Sequence, residues 1–420
     1  VNRAAVLVLA GALLAAPWAG HIDDTDAQLY QVLARNMAAT HRWLEPGLPP
    51  SSARPFREHL PFGLWPYAAA VRAAGERALP WIAAAFSLLT VAALLVAAPG
   101  ASGAVAALVL ATTETFFLYG GRSRLDPPLV FFTTLSFLLV QGSRPRWAAA
   151  GAMAALAALI KGPFGLLPLA SMAAARAICE RSWSTLARGA AATLAAALPA
   201  ALFVFLAEPS WREGYLHGQL LASASGARTE GTTAWWGALA GVAGRFWPGL
   251  PFALLAATQR RNRMLAIACG LLLLGLSLPA RKVWNHQLVA YPVLALLAGA
   301  WLAPFLERWP RVVPALAGIA AIASALGLGA RLLRPPCVAS QEFAALLPPP
   351  GTQVLVVSAP TDWRTLVGLA AEQRLAPVKA SALDDAPAPS VRFALVAEPL
   401  FHPGSFREVG RARGWVFAVR

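Results

Sequence analysis

The sequence predicts an all-α polytopic membrane protein of about 11 transmembrane helices, followed by a small extracytoplasmic α/β domain. Three observations lead there. Of 420 residues, 58% are hydrophobic and only 13% charged, against roughly 25% charged in soluble domains, and mean hydropathy is +0.57. Apolar runs that suit a hydrocarbon core of roughly 30 Å, which takes about 17–25 helical residues, recur along the chain. Arginines gather in alternate loops between those runs, as the positive-inside rule requires.

The same numbers exclude other classes. A soluble enzyme and a disordered tail need far more polar residues. The net charge of +15 and pI near 11.1 have no basic stripe or aromatic-basic motif beside them, so a nucleic-acid partner is excluded and membrane orientation accounts for the charge. The three cysteines, Cys179, Cys269 and Cys337, have no CxxC spacing and build neither a disulfide framework nor a zinc ribbon. Lysine occurs only at 161, 282 and 379, the other 32 basic residues being arginine, as in the coding bias of a GC-rich genome.

In chain order, the first span is 3–19; without a small-residue cleavage site before His21 it reads as a span rather than a secretory signal. A long outer loop, 20–78, follows. In it, Asp24, Thr25 or Asp26 can cap an amphipathic helix that places Asp26, Tyr30, Leu33 and Met37 near one face. The apolar stretch 62–75, interrupted by Arg72, predicts a helix on the membrane surface.

The remaining spans are expected near 79–98, 102–119, 127–141, 147–161, 163–178, 189–207, 234–257, 264–280, 287–306 and 312–333. With the N-terminus inside, Arg144 and Arg146, then Arg176, Arg181 and Arg188, then Arg260, Arg261 and Arg263, then Arg308 and Arg311 all fall on the cytoplasmic side. Outer loops then lie at 120–126, 161–162, 208–232 and 281–286. The domain division is 1–334 for the membrane part and 335–420 for the outer part. In the latter, VLVVSA, RFALVAE and WVFAVR read as strands and TDWRTLVGLAAEQRL as a helix.

This topology loads one face with chemistry. All six histidines, at 21, 41, 59, 217, 286 and 402, fall outside, with Asp23, Asp24, Asp26, Glu58, Asp126, Lys161 and Lys282. A charge at a span end must be paired or wetted. Glu114 and Arg245 stand inside expected spans; each is either a functional group or the mark of a misplaced boundary.

Several pieces, in order, resemble the C superfamily of membrane glycosyltransferases. They are D-x-x-x-Y-x-x-x-A-R-x-M from Asp26 to Met37, Trp43 and Pro46, REHLPFGLWPYA, GRSRLDPPLVFF, LIKGPFGLLP, YLHGQLL before Trp235 and Trp236, and RKVWNHQLVAYPVLALLAG. Protein O-mannosyltransferase-like enzymes and the aminoarabinose transferases that modify lipid A are the most similar members. The resemblance covers roughly residues 1–310 and leaves the C-terminal domain outside it.

The resemblance implies transfer of a sugar, hexosyl or pentosyl, from a polyprenyl-phosphate donor to a lipid, glycan or protein acceptor. It places the reaction on the outer face of a bacterial cytoplasmic (inner) membrane. It makes Asp26 the base or acceptor-orienting group, and Asp126 a support of the same site. Polyprenyl phosphate is a good leaving group, so the reaction needs a base and cations more than a strong acid. Lys161, Lys282, Arg122, Arg124 and Arg228 are the candidate donor-phosphate cations, arginine by bidentate contact and lysine as a point charge. The alternative for Lys161 is a snorkelling anchor.

Tyr30, Glu58, His59, His217 and His286 are the further polar candidates. In some relatives, positions like Glu58 and His217 help to bind a divalent metal; one histidine and one carboxylate without HExxH or another local ligand pair do not specify zinc, so a divalent metal is possible here but not required. Two positions depart from the family. Ala27 stands where relatives carry glutamate, and His59-Leu60-Pro61 where they carry K-P-P, which leaves donor identity open. A flippase or transporter of lipid-linked sugars and an inactive cell-envelope scaffold are the rival readings, the first being the class with broken midplane helices.

Overall fold

Proline and glycine decide where the helices begin and end. The computed structural model describes residues 25–47, 55–98, 100–227, 231–247, 249–308, 348–349, 352–357, 376–380, 392–397, 406–412 and 415–419, with Val6, Ala10 and Gly11. The chain forms two compact units. One comprises Val1–Trp18, Arg57–Pro66 and Pro80–Leu328; the other comprises Ala19–Phe56, Tyr67–Leu79 and Gly329–Arg420.

In the first unit, α3 is Leu79–Ala97, α4 Ala101–Thr112, α5 Glu114–Gly120 and α6 Asp126–Gln141, after α1 (Thr25–Thr40) and α2 (Trp65–Ala74) earlier in the chain. Pro127 and Pro128 sit in the first turn of α6, where a missing amide hydrogen costs nothing. The other end of α6 is closed from a distance: Arg176 Nη1 donates to the carbonyls of Val140 at 2.8 Å and Gly142 at 2.6 Å. Helix α7, Trp147–Lys161, stops at Gly162, whose φ of 61° and following Pro163 forbid another turn. A 3-10 turn, Gly162–Gly165, leads into α8, Leu167–Glu180. Arg181 at φ 50° and the Ser182 cap, which accepts from the Thr185 amide, reverse the chain into α9, Trp183–Leu206.

Beyond a π-helix at Arg212–Leu221 come α10 (Gly237–Arg245), α11 (Gly249–Ala257), α12 (Arg263–Ser277), a 3-10 segment Trp284–Ala290 and α13 (Tyr291–Arg308). The segment Asn285–Phe305 is the centre of the bundle, 72% buried, whereas Trp183–Leu206 is 17% buried. At about 1.5 Å per residue, α9 is long enough to cross a bilayer with an apolar surface turned to lipid. Gly299 lets α13 lie directly on α4, since a Cβ there would meet the Ser102 carbonyl at 2.5 Å.

The span count differs from the expected eleven. Among the described residues, four helices are long and apolar enough to cross a membrane, or up to six if each bent pair is one span. The expected 102–119 breaks between α4 and α5 with a 74° bend, and 234–257 breaks between α10 and α11 with a 118° bend. Thr113 leaves the helix at ψ 123°, its hydroxyl bonded to the Val109 carbonyl at 2.7 Å. The regions 163–178 and 264–280 form helices of only 14 and 15 residues. Expected spans 3–19, for all but three residues, and 312–333 lie outside the described residues. Hydropathy measures apolar content and is blind to such interruptions, and Glu114 and Arg245 prove to stand at the two breaks.

In the second unit, α1 buries Ala27, Tyr30, Leu33, Ala34 and Met37. Asn36 Nδ2 donates to the Gly47 carbonyl at 2.7 Å, and Arg35 pairs with Glu76 at 3.6 Å. The same unit carries a five-stranded sheet: β1 Gln353–Val357, β2 Ala376–Ala380, β3 Phe393–Ala397, β4 Arg407–Ala412 and β5 Trp415–Val419, in the order β2-β1-β3-β5-β4. β1 runs parallel to β2 and β3, and β5 antiparallel to β3 and β4. The three strands read from apolar runs are β1, β3 and β5. The two that were not expected are edges, with Pro377 in β2 and a bulge between Glu408 and Gly410 in β4, where a proline or an extra residue disturbs the ladder least. The expected helix TDWRTLVGLAAEQRL lies outside the described residues.

Candidate active site

Asp126, at the head of α6, is 1% exposed. Lys161 Nζ donates to its Oδ1 at 2.7 Å and Arg124 Nε to its Oδ2 at 2.9 Å. Lys161 arrives from the last turn of α7, where a cation suits the carbonyl end of the helix dipole, and Asp126 occupies the first turn of α6, where an anion suits the amide end. Burial alone raises the Asp126 carboxyl, but Lys161 and Arg124 outweigh it and hold the group well below the usual carboxylate range. Tyr119 completes the group, with the Arg124 guanidinium 4.1 Å from its ring centroid and that of Arg122 at 5.9 Å. Ser87, Tyr119, Asp126 and Leu288 are among the residues that line a water-sized recess.

The turn after Lys161 connects this group to a second. Phe164 lies against the His286 ring with centroids 4.1 Å apart and planes inclined by 36°. Next to His286, the backbones of Lys282 and Thr232 exchange hydrogen bonds at 2.9 and 3.1 Å. Lys282, 7% exposed, donates from Nζ to the Pro279 carbonyl at 2.9 Å, and Arg281 Nε donates to the Gly226 carbonyl at 3.3 Å. Phe164, Arg281, Lys282, His286 and Gln287 line one small pocket. The structure therefore brings Asp126, Lys161 and Arg124 into one cluster and Lys282 and His286 into a second, the Gly162–Gly165 turn lying between them in sequence and touching His286 through Phe164.

A third anchor, Arg57, escaped sequence reading. It is 7% exposed, lies 4.2 Å above the Trp211 ring, pairs with Glu208 at 3.3 Å and donates from Nε to Ser210 Oγ at 3.2 Å. Its neighbour Glu58 is exposed and His59 half-buried, while His217 is exposed on the π-helix. Among the described residues, no group of three or more His, Cys, Asp or Glu side chains could hold a metal ion. Tyr215, on the same π-helix, is buried beside Leu60 and Trp211; burial pushes its phenol above its ordinary value, and its hydroxyl has no hydrogen-bond partner among the described residues.

Asp26 lies half-buried in the first turn of α1, in the second unit, and Tyr30 one turn on packs edge-to-face on Phe56 with centroids 6.5 Å apart. Arg228 lies outside the described residues. The signals for Tyr119, Arg57 and Gln287 were faint: Arg57 and Gln287 lie inside the quoted pieces REHLPFGLWPYA and RKVWNHQLVAYPVLALLAG, and Tyr119 three residues before Arg122, but nothing in their spacing marks a role.

No protein-family model matches the chain, and no curated protein matches it by sequence. Solved structures do match in three dimensions. ArnT from Cupriavidus metallidurans bound to undecaprenyl phosphate superposes with a TM-score of 0.72 at 16% identity, over 99% of this chain and 96% of that one. The apo state of the same protein gives 0.69 at 18% identity over the same shares. The apo oligosaccharyltransferase from Archaeoglobus fulgidus gives 0.53 at 13% identity, over 94% of this chain and 69% of that one. The chain thus shares the fold of these ArnT structures.

Proposed function

We propose that this chain is a membrane glycosyltransferase that moves a sugar from a polyprenyl-phosphate donor to an acceptor on the extracytoplasmic face. The observation that carries the reading is the fold shared over 99% of the chain with an ArnT whose structure holds undecaprenyl phosphate. The buried cations supply the chemistry such a ligand needs. Lys161 gives Asp126 one of its three N–H groups, and an ammonium of this kind binds phosphate as a point charge.

In the proposed reaction, Asp26 accepts the proton of an acceptor hydroxyl. The freed oxygen attacks the anomeric carbon, and the bond from that carbon to the phosphate oxygen breaks. Polyprenyl phosphate leaves as an anion, stabilised by Lys161, Lys282 and the arginines at 122, 124 and 228. Asp126 acts by fixing Lys161 and Arg124 in place. Glu58 and His217 hold a divalent metal only if another group joins them. Which sugar is moved, hexosyl or pentosyl, follows from the pocket around it.

The purified protein is to be incubated with a panel of radiolabelled polyprenyl-phosphate sugars, with and without acceptor lipids. Release or transfer of label supports the reading. Asp26→Asn removes a base at constant size and lowers turnover by roughly 10²–10⁴; turnover at the wild-type rate overturns the base assignment. One observation favours transport as a second reading, namely the two bent helix pairs with Glu114 and Arg245 at their breaks. Movement of intact donor across proteoliposomes, with no loss of sugar, decides for transport.

A further inference from the structure

Helices α7 and α9 run side by side in the same direction, with Trp147 beside Gly189 and Gly151 beside Ala192. A Cβ on Gly151 would come within 3.3 Å of the Ala192 carbonyl, so the two backbones nearly touch. The side chains along their outer faces are too short to close over that contact. A groove of about 440 Å³ results, walled by Ala148, Ala152, Ala191 and Ala195 and bounded at one end by Trp147 and Arg188. It opens on the surface that α9, 17% buried, turns to lipid.

The length of the groove narrows its occupant. Along α9 the lining runs from Arg188 to Ala196, about 12 Å at the helical rise of about 1.5 Å per residue. That is close to one leaflet, half of a hydrocarbon core of roughly 30 Å. A partner helix crossing the membrane would pack along the whole core, whereas an acyl chain of one leaflet reaches only to its middle.

Charge narrows it further. Between residues 127 and 207 the sequence holds a single acid, Glu180, and it is engaged by Arg176 at 2.7 Å and by Thr185 Oγ1 at 2.8 Å. Arg188 is exposed at the mouth of the groove and makes no hydrogen bond or ion pair among the described residues. An anion must come from outside the chain. Trp147 stands at the same end, its ring edge 3.4 Å from where a Cβ on Gly189 would lie, and tryptophan belongs at headgroup depth.

We propose that this groove binds one acyl chain of an anionic phospholipid whose phosphate sits on Arg188. A zwitterionic lipid brings a cation of its own to that arginine. A second copy of the chain, docked here about a two-fold axis along the membrane normal, would set two Arg188 side chains at one depth. By the positive-inside rule the groove lies in the cytoplasmic leaflet, so it is separate from the outer face proposed for sugar transfer and stands without that reading.

The test is native mass spectrometry of the full-length protein in neutral detergent, titrated with phosphatidylglycerol and with phosphatidylcholine of the same acyl chains. The wild type should bind the first phosphatidylglycerol roughly fivefold more tightly than the first phosphatidylcholine. Arg188→Gln should remove that preference. Ala152→Leu and Ala195→Leu fill the groove from exposed positions and should weaken the first phosphatidylglycerol roughly tenfold, while Ala201→Leu, exposed on α9 beyond the groove, should leave it unchanged. Equal affinity of the wild type for the two lipids, or the same affinity in Ala152→Leu as in the wild type, overturns the inference. A wild-type dimer that Ala152→Leu separates assigns the groove to a second copy and overturns it as well.

Discussion

Asp126 illustrates how much depends on one carboxylate when its partners are buried with it. Lys161 and Arg124 are 5% and 4% exposed, and the anion between them offsets part of the cost of burying them. Asp126→Asn takes the carboxylate charge away from buried Lys161, so it should lower stability by about 3–5 kcal/mol. A thermal melt of the purified protein measures this, and adding Lys161→Met should recover part of the loss. A double variant no more stable than Asp126→Asn would show that the two side chains are not coupled. Tyr215 poses the inverse case. Its hydroxyl faces Gly162, where a Cβ would collide with it, and has no partner among the described residues. Tyr215→Phe should therefore leave the melting temperature unchanged or higher. Gly162→Ala should lower it, because the position needs a φ of 61° as well as space. Asp126 and Lys161 were legible as charges at span ends. That they satisfy each other, 35 positions apart, was not, since spacing carries no information about which helix ends meet.

At the scale of elements, Arg176 shows one residue serving two purposes. By the positive-inside rule it belongs to a cytoplasmic cluster; in the structure its guanidinium also closes α6 by bonding the carbonyls of Val140, Gly142 and, at 3.4 Å, Ser143, with Glu180 at 2.7 Å as counter-ion. Carbonyls at and just past the last turn of a helix have no amide partner within it. Arg176→Ala should cost about 1–3 kcal/mol and raise protease cleavage within 141–146. Arg176→Lys should rescue only in part, because a point charge cannot span three carbonyls. Unchanged cleavage in Arg176→Ala would assign the closure of α6 to its other contacts. The breaks at Thr113 and after Arg245 were visible in the sequence only as misplaced charges. Whether a polar residue inside an apolar run is a functional group or an interruption depends on backbone direction, which periodicity does not reveal.

For the whole molecule, the open quantity is orientation. Four arginine clusters in alternate loops predict that reporter fusions at residues 145 and 262 give cytoplasmic signals, and fusions at 50 and 380 outer ones. A cytoplasmic signal at 380 would require a different parity of spans and overturn the orientation. Composition places the chain in a membrane; the arginines predict which way it faces. The relation between long-range neighbours such as Gly299 and Ser102 follows from neither.

The division between sequence and structure follows the reach of each interaction. Apolar content, loop charge, helix starts at Pro127 and stops at Gly162, and the alternating runs of β1, β3 and β5 depend on neighbours within a turn or a strand. The linear order of residues determines these. The ordered motifs were also enough to imply the fold that the solved structures bear out. The pairing of Lys161 and Arg124 on Asp126, the stacking of Arg124 on Tyr119, the edge strands β2 and β4 and the groove between α7 and α9 all depend on contacts between separate elements. Only the packed chain decides these, because a buried charge or amide is satisfied by whichever group folding brings within about 3 Å, however far away it lies in the sequence.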